Sequence, residues 1–296
     1  MPTSLQRVAI TGSTGLIGSA LVGHLRSEGH TVQRLVRRKA AAPDEISWDP
    51  KNGTIDIAAL EGVDAVIHLA GANVGDHRWT KKYRAEILNS RLLGTTTIAQ
   101  AVSTVKPKVF ISGSAIGYYG ETGNRAVNES DRGGDDFLAA VCREWEAAAD
   151  LAGDTRTVKI RTGLVLEPTG GALGRMLPLF RFGLGGKIGS GKQWWSWITL
   201  HDEIRAICHL LEIDVSGPIN LTSPNPVTNQ EFTAALARAL HRPALFPVPG
   251  IALKTVLGGF STEILGSKKV LPTALTESGF TFDYPHLVNA LEELAQ

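Results

Sequence analysis

The sequence predicts an α/β fold: a doubly wound parallel sheet with a smaller C-terminal α+β lobe. Three observations predict it. The apolar run Val8-Ala-Ile-Thr11 leads directly into glycines at 12, 15 and 18, and Leu16, Ile17, Ala20, Leu21 and Leu25 follow at helical spacing. Short β-rich runs then alternate with helical segments through the first half, the signature of βαβ units. After Gly163 that alternation gives way to glycine, aromatic and basic residues.

The elements follow in order. Arg7 to Ile10 reads as the first strand and Gly15 to Glu28 as its helix. Thr31 to Val36 is the second strand. Ala65 to Leu69, Val109 to Ser112 and Val158 to Arg161 are further buried strands. Between them, Lys82 to Val102 and Phe137 to Ala152 carry apolar residues near a 3.6 period. Residues 163 to 197 read as loop and short elements, and Gly217 to Leu221 as one more strand. Thr228-Asn-Gln-Glu231 is a capping box that opens a helix through Leu240. Prolines 243, 247 and 249 break the chain before a last helical region ending near Gln296. No internal repeat or low-complexity tract is present.

Composition narrows the class. The chain has 296 residues, 43% hydrophobic and 20% charged, ordinary values for a globular protein. Its formal net charge of +1 argues against a nucleic-acid partner. Cys142 and Cys208 are too few for a disulfide framework or a metal cluster, so no metal is expected. No apolar run reaches spanning length and no signal-peptide core opens the chain. The expectation is a protein of the cytoplasm or an organelle matrix with no membrane contact.

The glycine turn has a specific chemistry. Gly12 takes the turn, Gly15 lets backbone approach a diphosphate, and Gly18 lets the helix pack close on the strand. The uncapped N–H groups that open the helix, around Thr14, Leu16 and Ile17, then face the phosphates. At the end of the second strand an NAD site places an acid for the ribose, whereas NADP needs cations for the 2′-phosphate. Here the run is Arg37-Arg38-Lys39, with no acid before Asp44, so NADP(H) is the expected cofactor. A guanidinium of Arg37 or Arg38 would fork onto the phosphate; the plain alternative is a solvated loop. In His68-Leu69-Ala70-Gly71, small residues at a strand end would let the dinucleotide pass close. Arg91 would reach phosphate or adenine with Glu86 holding it, unless the two form an ordinary surface ion pair.

These residues resemble a known group. Thr11-Gly-Ser-Thr-Gly-Leu-Ile-Gly18, His68-Leu-Ala-Gly71 and Ser114-Ala-Ile-Gly-Tyr118-Tyr-Gly120 resemble the extended short-chain dehydrogenase/reductase superfamily, of the nucleotide-sugar epimerase and dehydratase type. More narrowly, the chain resembles the atypical branch of 39U1-type epimerase family proteins. The narrower likeness rests on Asn89-Ser-Arg91, Trp145-Glu146, Arg161-Thr-Gly-Leu-Val165, Gly183-Leu-Gly-Gly186, Ile188-Gly-Ser-Gly191, Trp197-Ile198 with His201-Asp202, and Asn229 with Glu231-Phe232. The resemblance implies a Rossmann core that binds NADP(H) and a C-terminal substrate lobe. It also implies Leu69, Ala70, Glu86, Arg91 and Val165 as cofactor neighbours. The expected division is a core at 1–163, with segments around 195–225 returning to it, and mainly a substrate lobe at 164–296.

One part of the superfamily's pattern is missing. Its members use a Tyr-x-x-x-Lys pair, in which the lysine lowers the phenol pKa. The residues four beyond the four tyrosines are Ile87, Thr122, Gly123 and Val288. On the helix that should carry the pair, counting back from Glu146 reaches Leu138 and Cys142. Ser114 and Tyr118 are the candidate catalytic residues, Ser114 toward a substrate oxygen and Tyr118 as a phenol with no nearby cation expected. Their alternative is to pack the pocket wall. Asp202 is expected to cap a helix, with His201 a lesser catalytic candidate. Between Glu167 and Asp202 there is no acid, while Arg175, Arg181, Lys187 and Lys192 accompany Trp194, Trp195 and Trp197. Such loops suit an anionic or nucleotide-like ligand. The expected function is an NADP(H)-dependent oxidoreductase or epimerase on a small anionic or sugar-nucleotide substrate. The alternative is an NADP(H) sensor or partner-binding protein without catalysis.

Overall fold

Val8, Ala9 and Ile10 are completely buried, and their strand, β1 (Arg7–Thr11), runs through the glycine turn into α1 (Leu16–Ser27). The computed structural model describes residues 6–295. β2 (Thr31–Val36) lies parallel to β1. β3 (Glu45–Asp49), which the sequence reading passes over, lies parallel to β2, and β4 (Thr54–Ile55) returns antiparallel to it before α2 (Ile57–Leu60). Then come β5 (Ala65–His68), α3 (Lys81–Val105), β6 (Val109–Ala115), β7 (Ala126–Val127), α4 (Phe137–Ala149) and β8 (Thr157–Thr162).

Residues 163–197 carry short elements, as expected, together with one full-length helix. They hold β9 (Leu164–Glu167), α5 (Gly171–Arg181), β10 (Trp194–Trp195) and the start of β11 (Trp197–Thr199). α6 (Leu200–Glu212), β12 (Gly217–Leu221) and β13 (Val227–Thr228) follow. α7 (Asn229–Ala239) opens on Thr228 with both halves of its capping box formed. The chain ends with α8 (Gly250–Leu257), α9 (Ser261–Leu265), β14 (Lys269–Val270), α10 (Thr273–Glu277) and α11 (Leu287–Leu294); Gln296, the expected limit of the last helical region, lies outside the described residues.

The main sheet has the order β12-β8-β6-β5-β1-β2-β3-β4, parallel except at β4. From β1 the chain builds outward to β4 and then returns to β1's other side as β5, so a crevice opens beyond the carboxyl ends of β1 and β5. Alternate residues divide between the two faces. Val8, Ile10, Ile67 and Ile111 pack under Leu21 and Leu25 of α1 and Ile207 of α6. Ala9, Val66 and Phe110 pack under Ile98 and Val102 of α3. A separate core joins α5, α7 and α11 around Trp197 and Phe232. Two of the tryptophans expected in ligand loops belong to it. Trp197 is completely buried and donates to the Asn225 carbonyl at 3.1 Å, and Trp195 packs edge-on against Phe232. Among the described residues, no helix is long and apolar enough to cross a membrane.

Candidate active site

The glycine turn is built by steric necessity. Gly12 has φ of +69°, and a Cβ there would stand 2.8 Å from the Leu69 carbonyl carbon. A Cβ on Gly18 would collide with the Gly12 carbonyl oxygen, so α1 packs on the turn only because that position lacks a side chain. Gly15 is the N-cap of α1 and offers no side-chain acceptor, which leaves the first-turn N–H groups free for an anion.

Opposite the turn, the Thr11 hydroxyl accepts the N–H groups of Leu69 (3.1 Å) and Ala70 (3.2 Å). With its lone pairs taken by those two donors, its own proton goes to Nδ1 of His68 at 2.7 Å, an imidazole that burial pushes down to about 3 and keeps neutral. Leu69, Ala70 and Gly71 are thereby fixed as one wall of a crevice of about 460 Å³ whose other walls include Gly12, Thr14, Gly15, Arg37 and Arg38. Leu16 and Ile17 form the first turn of α1 beside it, and Val165 on β9 packs into the same core cluster as Ile17.

The cations at the end of β2 are not equivalent. Arg38 grips Glu45 with two bonds, 2.7 and 2.6 Å, and Arg34 reaches Asp44 at 2.8 Å and Glu45 at 3.1 Å. Arg38 beside Glu45 holds that carboxyl down at about 2. Arg37 is exposed and makes no hydrogen bond or ion pair among the described residues. A second hollow of about 440 Å³ adjoins the crevice, with Arg37, Arg38 and Trp48 common to both.

Two expectations around α3 and α6 need correction. Glu86 is exposed and does not hold Arg91. Arg91 instead donates to the carbonyls of Ala72 (2.9 Å) and Ile87 (3.1 Å), with its guanidinium 4.8 Å from the centre of the Trp145 ring. The α6 cap is Thr199, not Asp202. Asp202 accepts the backbone N–H groups of Asp283 (3.0 Å) and Tyr284 (2.9 Å), tying α6 to the C-terminal segment, and His201 pairs with Asp283 at 2.7 Å.

On the far side of β6 lies a buried polar network that the sequence reading did not assemble. Ser114, 5% exposed, donates to Glu146 at 2.7 Å. Arg161 on β8 clasps the same carboxylate through Nε (2.7 Å) and Nη2 (2.8 Å). Its Nη1 donates to the Tyr119 hydroxyl at 2.9 Å, and that hydroxyl donates to Asn220 at 2.8 Å. Burial pushes the Tyr119 phenol up to about 12, so it stays protonated. The Arg161 guanidinium also stacks 3.4 Å from the centre of the half-buried Tyr118 ring. A cation therefore does stand beside Tyr118, contrary to expectation, although across its face and already paired with Glu146. The detectable signal was an arginine ending a buried strand together with a glutamate among the alanines of α4.

Leu138 and Cys142, in the places of the missing pair, lie directly beneath the Ile116–Tyr119 turn. A Cβ on Gly117 would stand 3.4 Å from Leu138 and 3.7 Å from the Cys142 sulfur. Burial pushes the Cys142 thiol up to about 12, which leaves it un-ionised at neutral pH.

Comparison with known proteins agrees with this geometry. The NAD-dependent epimerase/dehydratase family matches residues 8–140, and a domain of unknown function, DUF1731, matches residues 248–294. An epimerase family protein of Mycobacterium leprae is 45% identical over 289 residues, which cover 96% of this chain and 94% of that protein. The human epimerase family protein SDR39U1, crystallised with NADPH, is 37% identical with a TM-score of 0.90, covering 98% of this chain and 99% of that one. A nucleoside-diphosphate sugar epimerase from Corynebacterium glutamicum is 35% identical with a TM-score of 0.82; the match covers 99% of this chain but 59% of that one. With identity at this level running almost end to end through a dinucleotide-type fold, the chain belongs to the epimerase family proteins of the SDR39U1 type.

Proposed function

We propose that this epimerase family protein binds NADP(H) and acts as an oxidoreductase or epimerase on a small anionic or sugar-nucleotide substrate. The observation that carries the cofactor choice is the unpaired Arg37 beside the crevice, where Arg34 and Arg38 are neutralised by Asp44 and Glu45. A 2′-phosphate fits that position, and the NADPH bound by human SDR39U1 supports the reading. The substrate class is supported by the Corynebacterium relative, described as a nucleoside-diphosphate sugar epimerase.

The chemistry that a bound nicotinamide would supply is hydride transfer to or from the substrate. The chain's own residues do the rest. Gly12, Gly15 and the opening of α1 hold the diphosphate; Leu69, Ala70 and Gly71 line its path, with Val165 beyond Ile17. Tyr118 is the phenol offered to a substrate oxygen, since its hydroxyl has no hydrogen bond among the described residues. Ser114 acts through Glu146 as a positioning residue, because its proton is committed there. Residues 1–163 and the returning strand β12 supply the cofactor side, and most of 164–296 supplies the substrate side. Screening carbonyl compounds by NADPH absorbance tests the activity. A turnover that Tyr118→Phe leaves intact would overturn the assignment of that phenol.

One observation favours a second reading, a cofactor-binding sensor without turnover: Leu138 and Cys142 offer no proton-transfer group where the superfamily places its pair. Under that reading NADP⁺ and NADPH protect residues 168–197 from hydrogen exchange to different extents. Equal protection together with hydride transfer to any metabolite decides for the enzyme.

A further inference from the structure

Two long stretches of the chain, residues 168–201 and 232–262, contain no Asp or Glu. The fold lays one against the other. Arg242 donates to the Arg181 carbonyl at 3.1 Å, Phe246 N–H to the Gly185 carbonyl at 3.2 Å, and Val248 N–H to the Lys187 carbonyl at 2.9 Å. The outer side of this join is apolar. Phe182 and Leu184 project from one stretch, Leu245 and Phe246 from the other, and Ile251 and Val256 from α8, which buries none of its residues. Arg181 and Lys187 lie on one stretch and Arg242 and Lys254 on the other, all exposed and without an ion pair among the described residues. Burial would stabilise such a cluster, and patches of this kind mark interaction surfaces.

Charge and shape select the occupant. A second copy of the chain would bring cations against cations, because neither stretch has an acid with which to answer them. A peptide groove would cover the side chains that form its walls, yet Phe182, Ile251 and Leu245 are 81%, 80% and 75% exposed. Projecting apolar side chains on a join that carries unpaired cations and no acids fit the headgroup layer of an anionic bilayer, where the apolar groups enter the acyl boundary and the cations meet lipid phosphates. We propose that this face docks the protein on an anionic lipid surface. The whole-chain charge of +1 conceals it, because the balancing acids lie elsewhere in the sequence. Docking would also bring α5 to the bilayer. The residues that open α5, Gly170 and Gly171, abut Leu16 of the cofactor turn.

The test is flotation of the full chain with phosphatidylcholine vesicles, with and without phosphatidylglycerol at about 30 mol%. The protein is expected to float with the anionic vesicles and to be released by salt. Removing a single cation, as in Arg181→Ala or Lys254→Ala, should lower the partition coefficient about fivefold. Phe182→Ser combined with Ile251→Ser should abolish flotation while leaving the melting temperature and NADPH affinity unchanged. Three outcomes would overturn the proposal: no flotation with anionic vesicles, flotation indifferent to the charge variants, or a dimer of the wild type that the serine variant dissociates.

Discussion

Arg37→Ala is the sharpest test of the cofactor site, because the structure separates this arginine from its neighbours. Arg34 and Arg38 already have carboxylate partners, so a 2′-phosphate would have to compete for them; Arg37 has none to give up. A hydrogen bond to a charged group contributes about 1.5–3 kcal/mol. Arg37 is exposed, which argues for the lower end and a rise in the NADPH Kd of about tenfold. NADH has no 2′-phosphate and should bind the variant as it binds the wild type. Arg37→Lys should recover part of the loss, since an ammonium restores charge without the planar fork. Arg38→Ala should also weaken NADPH, but by another route: Glu45 keeps only Arg34 and repels the phosphate, a loss that added salt should reduce. Titration calorimetry with both dinucleotides measures all of this. Equal affinity for NADH and NADPH, with no change in Arg37→Ala, would refute the assignment.

The remaining predictions concern the fold that holds the site. Glu146→Ala strands the Arg161 guanidinium, whose side chain is 3% exposed, and should destabilise by about 3–5 kcal/mol in denaturant unfolding, with Glu146→Ala/Arg161→Met recovering much of it. A single-variant loss under about 1 kcal/mol would mean that water reaches the pair. Gly18→Ala drives a methyl into the Gly12 carbonyl, so NADPH affinity should fall at least about tenfold, with about 1–3 kcal/mol of stability lost. Glu203 is completely buried, and burial pushes its carboxyl from the ordinary 4.5 up to about 8. The folded state therefore holds a proton that the unfolded chain releases, so this group's stabilisation is present below pH 4.5 and lost as pH rises toward 8. Glu203→Gln mimics the protonated form and should match the wild type near pH 4 but exceed it near pH 8; parallel stability–pH curves would show that the carboxyl is ionised in the folded state.

Much of the fold was legible because it is local. The run Val8-Ala-Ile before Gly12, Gly15 and Gly18 names a strand, a turn and a helix with no long-range information, and Thr228 with Glu231 names a helix start. The misses were tertiary. Glu45–Asp49 is a strand only because β2 lies open beside it, and its sequence, with acids at both ends, does not announce one. Trp195 and Trp197 look like ligand-stacking residues in a glycine-rich context, but the chain folds back, burying Trp197 and packing the half-buried Trp195 against Phe232.

The site divides along the same line. Backbone chemistry can be read from residue types: a glycine at Gly12 or Gly18 has few explanations, and the structure supplies the carbonyls that a side chain would strike. Charge pairing cannot be read that way, because it depends on which acid the fold delivers. Arg37 and Arg38 are adjacent in sequence and alike in type, yet the chain leaves β2 at Val36 and bends there. That bend delivers Arg38 to Glu45 and leaves Arg37 free. Likewise Glu146 and Arg161, 15 residues apart, become one buried unit only after α4 crosses back to β8, and this joint carries Ser114 on one side and both tyrosines on the other. The family's missing lysine is therefore not simply absent. The place it would occupy is filled by packing under Gly117, while the cation nearest the tyrosines comes from the sheet and arrives already neutralised. Any proton transfer at these tyrosines has to be organised by a paired arginine, so a turnover that survives both Tyr118→Phe and Arg161→Met would place the chemistry away from them.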